Sequence, residues 1–143
     1  MDGINGITAS YSLAILLLLV MTNMELTFID MDVIYFCMIV TMIFSFFNFR
    51  NKAKCFAGDV GSVTMSFILI FLTITLIINT QNLIYILFFV VYGVDTIWTI
   101  VQRLLRRENI FEAHRTHLYQ YLSNEAGKSR LLVSASYGIL QLI

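Results

Sequence analysis

Long apolar segments are the feature that most restricts how this chain can fold. A helix needs about 20 mostly apolar residues to cross a bilayer core about 30 Å thick. Four segments meet this need: residues 7–24, 33–49, 63–79 and 83–105. A fifth, residues 131–143, would span only about 20 Å as a helix. The segments are continuous rather than alternating, which favours helices over a transmembrane barrel. We therefore predict an all-α, polytopic transmembrane bundle of about five helices, with residues 1–143 as a single transmembrane domain.

The overall composition agrees with a membrane location. The chain is 59% hydrophobic and 13% charged, whereas soluble domains are about 45–50% apolar and about 25% charged. The first apolar segment is not read as a signal peptide, because residues 1–6 contain no Lys or Arg. The formal net charge is zero, and nothing in the composition indicates a nucleic-acid partner.

The distribution of charge predicts the topology. The connection between the first two segments is acidic, and every basic residue lies either between the second and third segments or from the end of the fourth onward. The positive-inside rule makes the basic side cytoplasmic. Three polar stretches should therefore meet at the cytoplasmic face. We name them the first stretch (residues 2–6), the second stretch (residues 50–62) and the third stretch (residues 103–130).

The first two stretches contain candidate ligands. Asp2 and Asn5 are one helical turn apart and could face one partner, although Asp2 could equally cap a helix. In the second stretch Asp59 lies between glycines and close to several bases, including Lys54. A lone carboxylate suits a Mg²⁺ ion that bridges phosphate oxygens, and the bases suit the anion. The alternative is a capping loop with ordinary cytoplasmic bases.

The third stretch holds both histidines, and a carboxylate lies close before it. His114 and His117 would share a helix face, with Arg115 between them. A zinc site lacks a third strong ligand. Imidazole and guanidinium groups that donate hydrogen bonds to a phosphate are therefore the better interpretation, and the alternative is an interfacial polar loop. Asp95 lies inside the fourth segment, where a carboxylate is costly and usually functional or paired. It could line the site from behind or pair with a base, and we favour a supporting role.

These stretches resemble motifs of the polyprenyl-phosphate N-acetylhexosamine-1-phosphate transferases, the glycosyltransferase family 4 membrane enzymes. The first stretch resembles the end of the family's Asn-x-x-Asn-φ-x-Asp-Gly motif. Residues 56–62, Phe-Ala-Gly-Asp-Val-Gly-Ser, resemble its most specific motif, Phe-φ-Gly-Asp-x-Gly-Ser. His114, His117 and Leu118 resemble its histidine motif, and the Tyr119-Gln120 pair that follows is similar to the branch annotated for UDP-N-acetylglucosamine.

The resemblance implies an activity. A sugar-1-phosphate, N-acetylglucosamine-1-phosphate in this branch, would pass from a UDP-N-acetylhexosamine to a polyprenyl phosphate such as undecaprenyl phosphate, with release of UMP. Mg²⁺, or alternatively Mn²⁺, would be the cofactor. The setting would be cell-wall or lipopolysaccharide biosynthesis at the bacterial inner membrane, and a homodimer is compatible with it.

The resemblance also implies residue roles. Asp2 and Asp59 would be catalytic, and Asp59 would be the metal ligand. Substrate would be bound by Asn5, Lys54, Gly61, Ser62, His114, Arg115 and His117.

The chain departs from the family pattern in two ways. Members have about ten or eleven helices, and the family's Asp-Asp pair is absent from this sequence. We therefore expect the C-terminal half of such an enzyme, with Met1 as an internal methionine, inactive by itself. The alternative is a small non-enzymatic membrane protein or a decayed remnant. A transporter half ranks last, because transporter sites lie near the midplane.

Overall fold

The computed structural model describes residues 3–108 and 117–143. Helices are its only regular secondary structure over these residues, which confirms the predicted fold class. The helices are α1 (Ile7–Leu26), α2 (Met31–Asn48), α3 (Gly58–Thr80), a 3₁₀ helix (Leu83–Phe89), α4 (Val90–Leu105), α5 (Leu118–Asn124) and α6 (Arg130–Leu142). α5 was not expected from the sequence, and α6 is as short as predicted.

Four of these segments are long and apolar enough to cross a membrane. They are α1, α2, α3 and the continuous run Leu83–Leu105, which combines the 3₁₀ helix with α4. The protein is therefore a multi-pass membrane protein. α6 has 13 residues, which correspond to about 20 Å of helix.

A compact turn makes α1 and α2 antiparallel neighbours. α1 ends where Thr27 adopts a left-handed conformation, with φ of 46°. The buried Asn23 side chain then closes the turn, since its Nδ2 donates to the Ile29 carbonyl at 2.9 Å and its Oδ1 accepts from the Ile29 amide at 3.1 Å. α2 begins at Met31, directly after Asp30, whose carboxylate caps the helix by accepting from the Asp32 amide.

α1 lies at the centre of the bundle. Its residues Ile15 and Leu19 are fully buried and pack in one cluster with Leu72 and Leu76 of α3. By contrast, α2 and α3 expose large apolar side chains such as Phe36 and Phe67. Outward apolar faces are expected of helices that contact lipid, because lipid tails are as apolar as the side chains themselves.

α1 and α6 pack closely because both carry small residues where they meet. The Ser10 hydroxyl donates to the Ser134 carbonyl at 2.7 Å, and the Ser134 hydroxyl donates to the Asn5 carbonyl at 2.8 Å. A Cβ at Gly138 would lie only 3.0 Å from the Ser10 carbonyl oxygen. Small residues that allow close backbone approach are typical of membrane helix interfaces.

We expect Gly138→Ala to destabilise the fold by about 1–2 kcal/mol, because the added methyl group overpacks the contact with α1. Gly93→Ala is the matched control, since Gly93 is also helical and a Cβ there meets nothing within 4 Å. This control should be neutral or stabilising by up to about 1 kcal/mol, because alanine favours helix more than glycine does. Denaturant unfolding in detergent micelles measures both; equal losses of stability would contradict the prediction.

The fourth span is interrupted where the 3₁₀ helix passes into α4. Backbone groups released by such a break must find partners in the bilayer core. Gln141 of α6 supplies them: its Nε2 donates to the Leu87 carbonyl at 3.1 Å and its Oε1 accepts from the Val91 amide at 3.3 Å. Tyr11 completes the group by donating to the same Oε1 at 2.8 Å. The break is therefore built into the bundle by α1 and α6.

Candidate functional site

Asn48, the last residue of α2, joins the first stretch to the second. Its side chain is fully buried. Its Oδ1 accepts from the Gly6 amide at 2.8 Å, and its Nδ2 donates to the Cys55 carbonyl at 2.8 Å. One amide group thus holds the start of α1 and the loop before α3 together.

Asn5 makes a second connection between the same stretches. Its Nδ2 donates to the carbonyl oxygens of Arg50 at 3.1 Å and Asn51 at 3.3 Å. Gly6 follows with a left-handed φ of 85°, and a Cβ there would lie 2.5 Å from the Phe49 ring. Only glycine fits this close approach. The Asn5 amide nitrogen therefore holds the loop, and substrate binding by Asn5 stays a prediction.

The first stretch also touches the third. A Cβ at Gly3 would lie 2.6 Å from Gln120 Nε2 and 2.7 Å from the Tyr119 hydroxyl. Both Tyr119 and Gln120 are buried. The three stretches, which are far apart in sequence, thus converge on one end of the bundle, as the alternation of charge predicts.

Asp59 lies in the first turn of α3, where its side chain is exposed. The preceding Gly58 has a φ of 59°, and a Cβ there would meet nothing within 4 Å. Lys54 is exposed on the loop before the helix, while Ser62 is buried and its hydroxyl donates to the Asp59 backbone carbonyl at 3.2 Å. Gly61 lies one turn into the same helix end, with its amide bonded to Ala57.

His117 lies at the start of α5 and faces α4. Its Nδ1 is 3.4 Å from Thr99 Oγ1 and 3.9 Å from Asp95 Oδ1. Its ring stacks on Tyr119, with 5.5 Å between centroids and 12° between planes. Asp95 is buried and also accepts from Tyr137 and from the Leu118 amide. These contacts show how Asp95 could support the residues around His117, which is the role that the sequence analysis favours.

The match to a known family covers two of these three stretches. The sequence model of glycosyl transferase family 4 matches residues 1–77. The chain belongs to this family. The matched region includes Asn5 and Asp59 and ends near the end of α3, and it confirms the resemblance to the polyprenyl-phosphate sugar-1-phosphate transferases. Neither the curated proteins nor the solved structures contain a significant match. At this coarse level, the function of the family 4 chain is sugar-phosphate transfer to a polyprenyl phosphate at a membrane.

The described part of this family 4 protein can offer a metal ion one carboxylate at α3. Within residues 3–108 and 117–143, no group of three His, Cys, Asp or Glu side chains lies together, and no hydrogen bond or ion pair engages the Asp59 carboxylate. This donor set fits Mg²⁺, which takes one or two carboxylates and completes its shell with phosphate oxygens and water. It does not resemble a closed structural zinc site.

Three predicted site residues, Asp2, His114 and Arg115, lie outside the described residues. Sequence reasoning gave no role to two residues that hold the site together, Asn48 and Tyr137. The sequence does hold a signal for Asn48. Like Asp95, it is a polar side chain in an apolar span, and it lies directly before a basic loop. Tyr137 has no local signal, because its partner Asp95 is 42 positions away.

Proposed function

We propose that this family 4 protein carries out Mg²⁺-dependent transfer of N-acetylglucosamine-1-phosphate from UDP-N-acetylglucosamine to a polyprenyl phosphate, with release of UMP. The convergence of the three polar stretches on one end of the bundle carries the proposal. That end presents an exposed carboxylate at Asp59, an exposed ammonium at Lys54 and an imidazole at His117. These are the groups that a divalent metal ion, a diphosphate and a sugar require.

The reaction is a phosphoryl-group exchange. A phosphate oxygen of the polyprenyl phosphate bonds to the β-phosphorus of the UDP-sugar, and the bond between that phosphorus and the oxygen bridging it to the α-phosphorus breaks as UMP leaves. Catalysis of such transfers consists mainly of positioning and electrostatic stabilisation. Asp59 would hold Mg²⁺ at the diphosphate, and Asp2, the other residue predicted to be catalytic, would line the nucleotide-sugar site. The bound Mg²⁺ would neutralise charge on the diphosphate and on the departing UMP.

The remaining residues would bind and orient the substrates. Lys54, Arg115 and His114 would attract the phosphates as cations or donors. Asn5 and the glycine-rich start of α3, with Gly61 and Ser62, would line the nucleotide-sugar site. His117 would contact the sugar or a phosphate. The long isoprenoid tail would lie in the bilayer beside the exposed apolar faces of α2 and α3.

The proposed location is the bacterial inner membrane, with the three stretches in the cytoplasm. The basic residues of the connections support this orientation, and the nucleotide sugar would then be reached from the cytoplasm. The product would feed cell-wall or lipopolysaccharide biosynthesis. A homodimer would be compatible with the exposed helix faces.

Exchange of labelled UMP into UDP-N-acetylglucosamine tests the proposal. The full chain would be placed in nanodiscs with undecaprenyl phosphate, and exchange and UDP-sugar binding would be measured with Mg²⁺, with Mn²⁺ and with EDTA. Binding is included because the sequence lacks the family's Asp-Asp pair. We expect metal-dependent binding of the UDP-sugar, and we expect any exchange to require both the metal ion and the lipid, with UDP-N-acetylgalactosamine as the comparison donor. Absence of both binding and exchange would favour a non-enzymatic membrane protein.

A further inference from the structure

Arg50 lies just beyond the end of α2 and folds back over the last turn of that helix. Its Nε donates to the Phe46 carbonyl at 2.7 Å, and its guanidinium carbon lies 4.6 Å from the centroid of the Phe46 ring. A guanidinium stacks favourably on an aromatic face. These two contacts hold the guanidinium in one orientation, with Nε and one of its faces in use.

The Nη1 and Nη2 groups of Arg50 remain available to a ligand. Within residues 3–108 and 117–143, the bond from Nε is the only hydrogen bond of the guanidinium, and no carboxylate pairs with it. Arginine is always charged in proteins, and its fork of N–H groups matches two oxygens of a phosphate in a bidentate contact. The described part of the chain thus supplies a fixed cationic fork and no acidic side chain that neutralises it.

An exposed apolar track on α2 leads to this guanidinium. Steps of three and four residues keep the members of the track on one face of the helix. They are Phe36, Ile39, Ile43 and Phe46, all of them exposed. Phe46, the last member, is 65% exposed and carries the Arg50 guanidinium on its ring. The track is about 15 Å long at about 1.5 Å per residue. An apolar chain that ends in an anion therefore fits this surface.

The position of Arg50 places that anion beside the candidate site. The Arg50 carbonyl accepts from Asn5 Nδ2 at 3.1 Å, so the backbone of Arg50 contacts the first stretch while its side chain covers an outward-facing ring. The opposite end of α2 carries Asp30 and Asp32, and their negative charge repels an anion. Of the two ends of α2, the one at Arg50 is therefore the one that attracts a phosphate.

We infer that Arg50 binds the phosphate of the polyprenyl phosphate, with the isoprenoid chain lying along the apolar track of α2. The choice of this lipid rests on the proposed function. A phosphate monoester has three unesterified oxygens, and a bidentate guanidinium occupies two of them. The third oxygen stays free to bond to the β-phosphorus of the UDP-sugar, as the proposed exchange requires. The phosphodiester of an ordinary phospholipid has no such third oxygen.

Binding of undecaprenyl phosphate tests this site without any need for turnover. The full chain is immobilised in phosphatidylcholine nanodiscs, and displacement of radiolabelled undecaprenyl phosphate is measured with four competitors. We expect unlabelled undecaprenyl phosphate to compete at least about tenfold better than undecaprenol, inorganic phosphate or phosphatidylglycerol. Equal competition by undecaprenol would show that the phosphate is not recognised, and equal competition by inorganic phosphate would remove the role of the track. Equal competition by phosphatidylglycerol would indicate a general anchor for anionic lipids. Each of these three results would overturn the inference.

Variants identify Arg50 as the residue that binds the phosphate. Arg50→Gln should weaken undecaprenyl phosphate binding by at least about tenfold, because charge-assisted hydrogen bonds are lost. Lys52→Gln is the matched control, since it removes the same charge from an exposed position of the same loop; affinity should stay within about twofold of wild type. Arg50→Lys keeps the charge and loses the fork, so it should bind more weakly than wild type. Equal losses in Arg50→Gln and Lys52→Gln, or wild-type affinity in Arg50→Lys, would overturn the inference.

Phe46→Leu tests the same site without changing a charge. It keeps the track apolar and removes the ring under the guanidinium, so binding should weaken by about threefold, the worth of a cation–π contact at an exposed site. Because Phe46 faces outward, this variant should fold even if Arg50→Gln does not, and a thermal unfolding curve checks both. Unchanged affinity in a folded Phe46→Leu would contradict a guanidinium held by the ring.

Lipid binding is measured separately from the UDP-sugar binding that tests the proposed function. UDP-sugar binding together with a lipid affinity that is indifferent to Arg50 would overturn only the lipid site. Arg50-dependent lipid binding by a chain that neither binds the UDP-sugar nor exchanges UMP would overturn the transferase, while the phosphate site at Arg50 would stand.

Discussion

Asp59→Asn is expected to lower Mg²⁺-dependent UMP exchange by on the order of a thousandfold, because a metal ion contributes several kcal/mol of transition-state stabilisation. Asparagine keeps the size of the side chain and an oxygen ligand but removes the charge that holds the cation. Since the Asp59 side chain is exposed and its carboxylate has no hydrogen bond or ion pair within residues 3–108 and 117–143, stability should change by less than about 0.5 kcal/mol. Exchange rates measured over a Mg²⁺ titration, together with a thermal unfolding curve, test both parts.

Asp32→Asn is a closely matched control for this effect. Asp32 and Asp59 are both exposed, and each lies in the first turn of an apolar helix, α2 and α3 respectively. The two substitutions therefore alter the interaction with the helix dipole in the same way. Asp32 lies at the opposite end of the bundle from the three stretches, so the exchange rate should stay within about twofold of wild type, which corresponds to less than about 0.5 kcal/mol. Equal losses in both variants would argue against a metal site at Asp59.

Asn48→Ala is expected to destabilise the protein by about 2–4 kcal/mol, because it leaves two buried backbone groups without partners at about 1–3 kcal/mol each. These groups are the Gly6 amide and the Cys55 carbonyl. The first stretch would also lose a direct link to the second stretch, so UDP-sugar binding should weaken even where the helices remain folded. Denaturant unfolding in micelles gives the first quantity, and a UDP-sugar titration gives the second.

Asn79→Ala controls for the loss of an asparagine as such. Asn79 is exposed at the end of α3 and its side chain bonds only the Thr75 carbonyl, one turn earlier. We expect a change within about 0.5 kcal/mol. Asn48→Asp is a further comparison, since it keeps the acceptor for Gly6 and loses the donor for Cys55. A stability for Asn48→Ala equal to that of Asn79→Ala would show that the α2 end does not hold the two stretches together.

The sequence predicted the candidate site where local chemistry and topology were enough. Alternating spans and the one-sided bases placed Asn5, the Asp59 loop and the His117 region at one end of the bundle, and the contacts at Asn48, Gly3 and Asn5 show this convergence. The predicted bounds of the spans lie within about two residues of the observed ones, because each span is a run of apolar residues, except that α3 begins at Gly58 instead of Val63. The individual roles assigned to Asp59 and the histidines remain predictions.

The partners of the polar residues within the bundle could not be predicted. Asp95 was recognised as a costly charge, but its acceptor role toward Leu118 and Tyr137 depends on how α4, α5 and α6 pack. The same holds for Gln141, which accepts a hydrogen bond from the Val91 amide, 50 residues earlier in the chain. No periodicity in the sequence relates such distant positions. A lipid environment requires that each polar group has a hydrogen-bond partner, but it does not determine which helix supplies that partner.

The sequence alone determined that this chain is a helical membrane protein, which parts of it form the spans, and which end carries the basic residues. Hydrophobic length and charge bias act locally, so they can be read residue by residue. Only the tertiary structure decided which polar side chains meet: Asn48 with Gly6, Gln141 with the break in the fourth span, and Asp95 with His117. These pairings follow from helix packing, in which small residues such as Gly138 set how closely the backbones approach.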